Sequence, residues 1–191
     1  MSLQIDVSNN YFDQAASLQL IAAMKGKSME SIGMAGCKLG VEGAKATAEL
    51  VSVMPSLTEL NLYDNNVKDE GVTAICEAVQ SNKETKLASL NVGKNKIGPA
   101  GAKSVAAMAA VIPSLTSLDV RFNDISGDGA SQLSSAVLGN TKIEVFNEVP
   151  IKEMRADSFT ELNLEGKDIG VEGGMVVAGL LPVMASLTKV R

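Results

Sequence analysis

Histidine is absent from this chain, which removes the commonest general base and the commonest metal ligand. The sulfur chemistry that remains rests on two residues, Cys37 and Cys76. Cys76 sits in V-T-A-I-C-E-A-V from Val72, a helical run, and reads as packing. Cys37 occupies a position that recurs along the chain and reads as a small buried thiol rather than a nucleophile. One disulfide is arithmetically possible, but two cysteines do not make the framework of a small secreted domain. Glycine offers no phosphate cradle. No G-x-x-x-x-G-K-S/T run occurs, V-E-G-A-K from Val41 is the loop into a helix, and Gly33 and Gly36 belong to a strand and its bend. The D-x-x-x-D-G run from Asp124 to Gly129 departs from the calcium-loop pattern and lacks its terminal bidentate Glu. The other acidic residues are scattered without ligand spacing. The expectation is a chain with no catalysis, no metal and no cofactor.

The elements that position these residues are copies of one unit. From Leu57 the chain reads L-T-E-L-N-L-Y-D-N-N-V-K-D-E-G, from Leu87 L-A-S-L-N-V-G-K-N-K-I-G-P-A-G, and from Leu115 L-T-S-L-D-V-R-F-N-D-I-S-G-D-G. Further copies begin at Met29 and Phe159, and a worn one opens the chain with Ile5, Val7, Asn10 and Phe12 in the same slots. The pattern is L-x-x-L-x-L-x-x-N/C-x-L. Its polar slot holds Cys37, Asn65, Asn95, Asn123 and, as a misfit, Lys167. A glycine follows six residues later each time, at Gly43, Gly71, Gly101, Gly129 and Gly173. Starting from Asn10, the spacings between polar slots are 27, 28, 30, 28 and 44 residues.

Each part of the unit has a physical task. The x-L-x-L-x stretch alternates with period two, so it predicts a short strand with its leucines turned inward. The Asn leaves the strand at the bend, where its amide satisfies backbone groups of the coil. After the glycine comes a helical run of small apolar residues, such as Ala44 to Met54 or Ala102 to Ile112, which lets helix and strand pack closely. Pro55, Pro113 and Pro182 fall where those helices should stop.

The register also says which residues face outward. They are Gly33, Asn61, Asn91, Asp119 and Asn163 in the middle of each strand, preceded by Ser31, Glu59, Ser89, Ser117 and Glu161, and followed by Ala35, Tyr63, Gly93, Arg121 and Glu165. Four of these are acidic and only Arg121 is basic. An acidic sheet face steers a basic partner surface, and Tyr63 and Arg121 are residue types enriched at binding hot spots. The candidate partner-binding set is therefore Glu59, Asn61, Tyr63, Asn91, Asp119, Arg121, Glu161, Asn163 and Glu165.

Composition agrees with a thin, layered interior. The chain is 46% hydrophobic but only 3% aromatic, with no Trp, so its core must be built from Leu, Val, Ile, Ala and Met. A net charge of −5 argues against nucleic acid. No opening segment combines a basic flank with a long apolar run, so no membrane insertion and no signal peptide are expected. An intracellular, cytoplasmic location is the default expectation, with an organelle after loss of a targeting peptide left open.

A period of 27 to 30 residues with a helix in each coil resembles the ribonuclease-inhibitor-like class of leucine-rich repeats. The resemblance implies an α/β leucine-rich-repeat solenoid, a horseshoe with parallel strands on the concave face and helices on the convex face. It also implies an intracellular protein-protein interaction module or scaffold subunit. One member of the class activates a small GTPase, so regulation of a small GTPase is the alternative. The whole chain, 1–191, reads as one domain, with coils near 1–28, 29–56, 57–86, 87–114, 115–142 and 159–186. An irregular stretch covers 143–158, and a further coil starts at 187–191.

That irregular stretch carries sixteen residues beyond one period. Ile143, Val145 and Phe146 suit a degenerate strand, but Glu148 then falls where an inward leucine belongs. It reads either as an irregular coil or as an excursion that carries function. Solenoid ends normally carry polar caps, so the expectation is that neighbouring protein or further repeats cover them.

Overall fold

The computed structural model describes residues 3–10 and 12–191. Strand and helix alternate through most of the chain: β1 Leu3–Asp6, α1 Gln14–Met24, β2 Met29–Gly33, α2 Gly40–Ser52, β3 Glu59–Asn61, α3 Lys68–Ser81, β4 Ser89–Asn91, α4 Pro99–Val111, β5 Ser117–Asp119 and α5 Gly127–Gly139. Then come β6 Val145–Phe146, β7 Val149–Pro150, α6 Ile151–Arg155, β8 Glu161–Leu162, α7 Gly170–Leu180 and β9 Lys189–Val190. The first six strands pair in parallel in chain order, with Leu60 opposite Leu90 and Leu90 opposite Leu118. This is the expected α/β solenoid. Its leucines face inward as the period-two pattern requires, and Leu57, Leu60 and Leu62 are at most 1% exposed. Each such side chain contributes about 1.5–3 kcal/mol on burial.

The helices begin a residue or more earlier than the small-residue runs suggest, so each repeat glycine lies in the first turn rather than before it. The reason is close approach of neighbouring coils. A Cβ at Gly71 would stand 2.8 Å from the Ala44 Cβ, and one at Gly129 would stand 2.6 Å from backbone atoms of Pro99. Pro55 and Pro113 follow α2 and α4, and Pro182 lies in the 3-10 turn Leu181–Val183 that ends α7.

The polar slot forms a continuous ladder. Asn65 Oδ1 accepts from the N–H groups of Cys37 and Leu39, Asn95 Oδ1 from those of Asn65 and Val67, and Asn123 Oδ1 from those of Asn95 and Ile97. Each amide meanwhile donates to carbonyls of its own and the preceding coil. Asn65 and Asn95 are buried, whereas Asn123 is only half-buried, because no regular coil stacks on it. A second set of rungs, unseen in the sequence, ends the helices of alternate coils. Asn82 Nδ2 donates to Val51 O, and Asn140 Nδ2 donates to Ala109 O.

The irregular stretch is a miniature coil. Ile143 and Phe146 take the inward slots, and β6 joins β5 in parallel. The chain then reverses at Asn147 and Glu148, both at positive φ, and β7 returns antiparallel to β6. Glu148 therefore lies in the turn, not in a strand slot, and Val149, Ile151 and Met154 fill the core instead. Arg155 donates to the carbonyls of Val137, Leu138 and Asn140, so it caps the C-terminus of α5.

This coil has consequences for the sheet. Because β7 occupies the free edge of β6, the strand at Glu161 does not extend the first sheet. It pairs only with β9, in a separate two-stranded sheet. On the convex side α7 packs directly on α5, with Ser134 Oγ 3.2 Å from Glu172 O. The strand layer thus gains a coil that the helix layer barely registers.

Candidate functional site

The outward strand row has a structural duty that the sequence reading did not anticipate. Asn61, Asn91, Asp119 and Asn163 each turn a side-chain oxygen back to accept from the backbone N–H two residues on, at 2.9–3.1 Å. Asp6 does the same with Ser8 N–H. This Asx turn carries the chain out of the strand. It leaves the amide N–H groups of Asn61 and Asn91 facing outward from adjacent strands, without partners among the described residues.

The charged candidates divide into paired and unpaired. Arg121 grips Asp119 through Nε and an end nitrogen, reaches Glu148 at 2.5 Å, and donates to Lys167 O. The hydrogen bond to Asp119 is the main reason its pKa lies above the ordinary value. With its side chain 16% exposed, Arg121 is a tie across the break between the two sheets, and its charge is already neutralised. Glu161 pairs with Lys189 and Arg191. Asn163 and Glu165 are exposed, but they follow Glu161 out of the second sheet, so the structure does not join these three to Asp119 along one ladder.

Glu59 and Asp6 are different. Glu59 accepts from Ser31 Oγ, and neither carboxylate has a cation partner among the described residues. They flank Gly33 in a shallow hollow of about 400 Å³ that Asn61 also lines. Hydrogen bonds from the Ser8 hydroxyl and backbone hold the Asp6 carboxyl below its ordinary pKa, so it carries charge at neutral pH.

The aromatic candidate, Tyr63, has a neighbour that sequence reasoning missed. Its ring takes the space a Gly93 side chain would fill, 3.0 Å from an ideal Cβ, and meets Phe122 edge to face at 6.4 Å and 86°. The Arg121 guanidinium carbon stands 5.7 Å from the Phe122 ring centre. Phe122 is 50% exposed and has φ +60°. The signal lay in the slot itself: its other occupants are Asn9, Gly36, Asp64, Lys94 and Gly166, all at positive φ.

Neither thiol is activated as a nucleophile. Cys37 and Cys76 are buried and free, and burial pushes the Cys76 thiol up to about 12 and raises Cys37 as well. Among the described residues no three His, Cys, Asp or Glu side chains are placed to hold a metal ion, and no helix is long and apolar enough to cross a membrane.

Comparison with known proteins agrees with this geometry. The Leucine Rich repeat family matches residues 53–76, 83–106 and 111–134. RAN GTPase-activating protein 2 of Arabidopsis thaliana is 31% identical over 126 residues, covering 65% of this chain and 23% of that protein. Ribonuclease inhibitor of Mus musculus is 30% identical over 127 residues, covering 66% of this chain and 28% of the inhibitor. The chain thus spans under a third of either relative. The solved structure of Leiomodin-1 Actin-Binding Site 2 superposes with a TM-score of 0.60 over 90% of this chain and 88% of that one, at 16% identity, a likeness of fold. The coils of this chain are leucine-rich repeats, similar to those of ribonuclease inhibitor. A protein-interaction role is what this family supports.

Proposed function

We propose that this chain is a non-catalytic protein-binding module whose first sheet receives a basic segment of a partner, as a scaffold or accessory subunit does. The observation that carries the reading is the imbalance on the concave face. Arg121 is tied to Asp119 and Glu148, while Asp6 and Glu59 face the Gly33 hollow without a cation. Unpaired carboxylates on a concave surface raise encounter rates with cationic partners more than they lengthen residence.

The test is selection of short random displayed peptides on the immobilised full chain. Selected peptides should be rich in Lys and Arg, and their association should slow with added salt and on joint Asp6→Lys and Glu59→Lys substitution. Neutral or acidic peptides with salt-independent association would refute the reading.

A second reading, regulation of a small GTPase, draws on the likeness to RAN GTPase-activating protein 2. Single-turnover GTP hydrolysis by small GTPases, with and without the chain, tests it. Unchanged rates across the set would remove it.

A further inference from the structure

Phe122 sits where folding gains least from a phenylalanine. Its φ of +60° is strained for a bulky residue, and the same slot is filled without strain by Gly36 at +67° and Gly166 at +70°. Half of its surface remains in water, so little burial offsets that strain. A strained, exposed aromatic kept upright by its neighbours points to a use outside the fold.

Those neighbours define a shape. Tyr63 lies across Gly93, whose missing side chain makes room for it, and Phe122 stands perpendicular to it at 86°. Together they form an L-shaped corner at the rim where the strands leave the concave face. The Asp64–Lys94 pair, at 2.8 Å, occupies the Phe122 slot in the two preceding coils and is neutral as a pair. On the far side Arg121 and Lys167 face Asp119 and Glu148. With Glu59, which precedes Tyr63 on β3, the carboxylates around the corner outnumber the cations.

We propose that the Tyr63–Phe122 corner is the anchor point of the binding face, receiving one large apolar side chain of a basic, extended partner segment. This rests on the reading of the concave face as a docking surface for a cationic partner, and it adds the geometry. Glu59 lies four residues before Tyr63, along β3 and the Asx turn that ends it, no more than about 13 Å away. A segment lying along β3 with its apolar residue in the corner therefore brings a Lys or Arg about four residues away onto Glu59. Aromatic rings set in a partly desolvated rim are the side chains on which interface affinity concentrates.

The probe is the peptide set selected from the displayed library on the full chain. The expected peptides carry a large apolar residue with Lys or Arg about four positions away, and Phe122→Gly weakens their binding about tenfold or more. Glycine suits φ +60°, so this variant should unfold at the same or a higher temperature than the parent, which separates lost binding from lost fold. Retained affinity in Phe122→Gly, or a lowered unfolding temperature, overturns the proposal. Loss on Phe122→Gly without any effect of Glu59→Lys or salt would keep the corner and refute the basic partner. Loss on Glu59→Lys alone would do the reverse. A library that yields no binder overturns both.

Discussion

Asn147 donates its side-chain amide to the carboxyl of Glu172 at 3.0 Å, while its oxygen accepts from Val120 N–H at 2.9 Å. One side chain thus joins the end of the first sheet to the first turn of α7. Counterparts of Glu172 in earlier coils, Glu42 and Glu70, are exposed and pair with Lys45, but Glu172 is 3% exposed and has no cation partner among the described residues. Burial raises its pKa above the ordinary glutamate value, against smaller lowering by its own backbone N–H and by Asn147.

The sign of the pH dependence follows. The folded chain holds this proton more tightly than the unfolded chain, so the stabilising contribution is fully present below the unfolded pKa of about 4.5. It is lost as pH rises through the folded pKa. Glu172→Gln mimics the protonated group and keeps an acceptor for Asn147. It should raise the neutral-pH unfolding temperature and flatten the fall above pH ~4.5. Thermal unfolding followed by circular dichroism across pH tests this, and a variant less stable than the parent at pH 7 would refute it.

Asn95 is the middle rung of the ladder and is fully buried. Its oxygen serves Asn65 and Val67, and its amide serves Leu62 and Gly93, all buried. Leucine in its place leaves donors and acceptors unpaired where no water reaches. The expected cost of Asn95→Leu is about 2–4 kcal/mol, read as a lower urea midpoint. An unchanged midpoint would mean that the ladder contributes nothing.

Where repetition operates, the sequence is legible. Leu57, Leu60, Leu62 and Asn65 take places that period and polarity assign, and so do their copies. The miniature coil was legible only in its strand, Ile143 to Phe146, because Asn147 is its polar rung yet falls four residues after Ile143 rather than eight, and the turn at Asn147–Glu148 has no glycine. The candidate site was half legible. The register correctly turned Asn61, Asn91 and Asp119 outward, but an oxygen that bends back to its own backbone leaves no periodic trace. Phe122 escaped because its slot was read as spacer, although Gly36 and Gly166 there mark left-handed backbone.

Arg155 explains why the miniature coil can stand in for a full one. Its guanidinium donates to carbonyls of Ile143, Val137, Leu138 and Asn140 and, among the described residues, to no carboxylate. Burial lowers its pKa from the usual arginine value, but the group stays charged. Arg155→Met keeps the apolar stem and removes the cap, so α5 ends with open carbonyls. A loss of about 2 kcal/mol is expected. Chemical denaturation measures it, and a loss within about 0.5 kcal/mol, the usual size for an uninvolved surface residue, would show that water replaces the cap.

Glu148 poses a contest between backbone and charge that magnitudes decide. Its φ of +61° in the turn after β6 costs a non-glycine residue about 1–2 kcal/mol. In return its carboxylate joins Arg121 and, at 3.9 Å, Lys167. That carboxylate is 50% exposed, and such pairs are worth about 0–1 kcal/mol in water. Arg121 also keeps both Asp119 oxygens and Lys167 O if Glu148 is lost, so no buried charge is orphaned. Glu148→Gly should therefore stabilise the chain, by about 0.5–1 kcal/mol after glycine's greater freedom in the unfolded state is counted. A higher urea midpoint at unchanged slope checks it. A lower midpoint would mean that the Glu148 bridge between the two sheets outweighs the strain of its turn, and that the C-terminal coil is held by charge more than by packing.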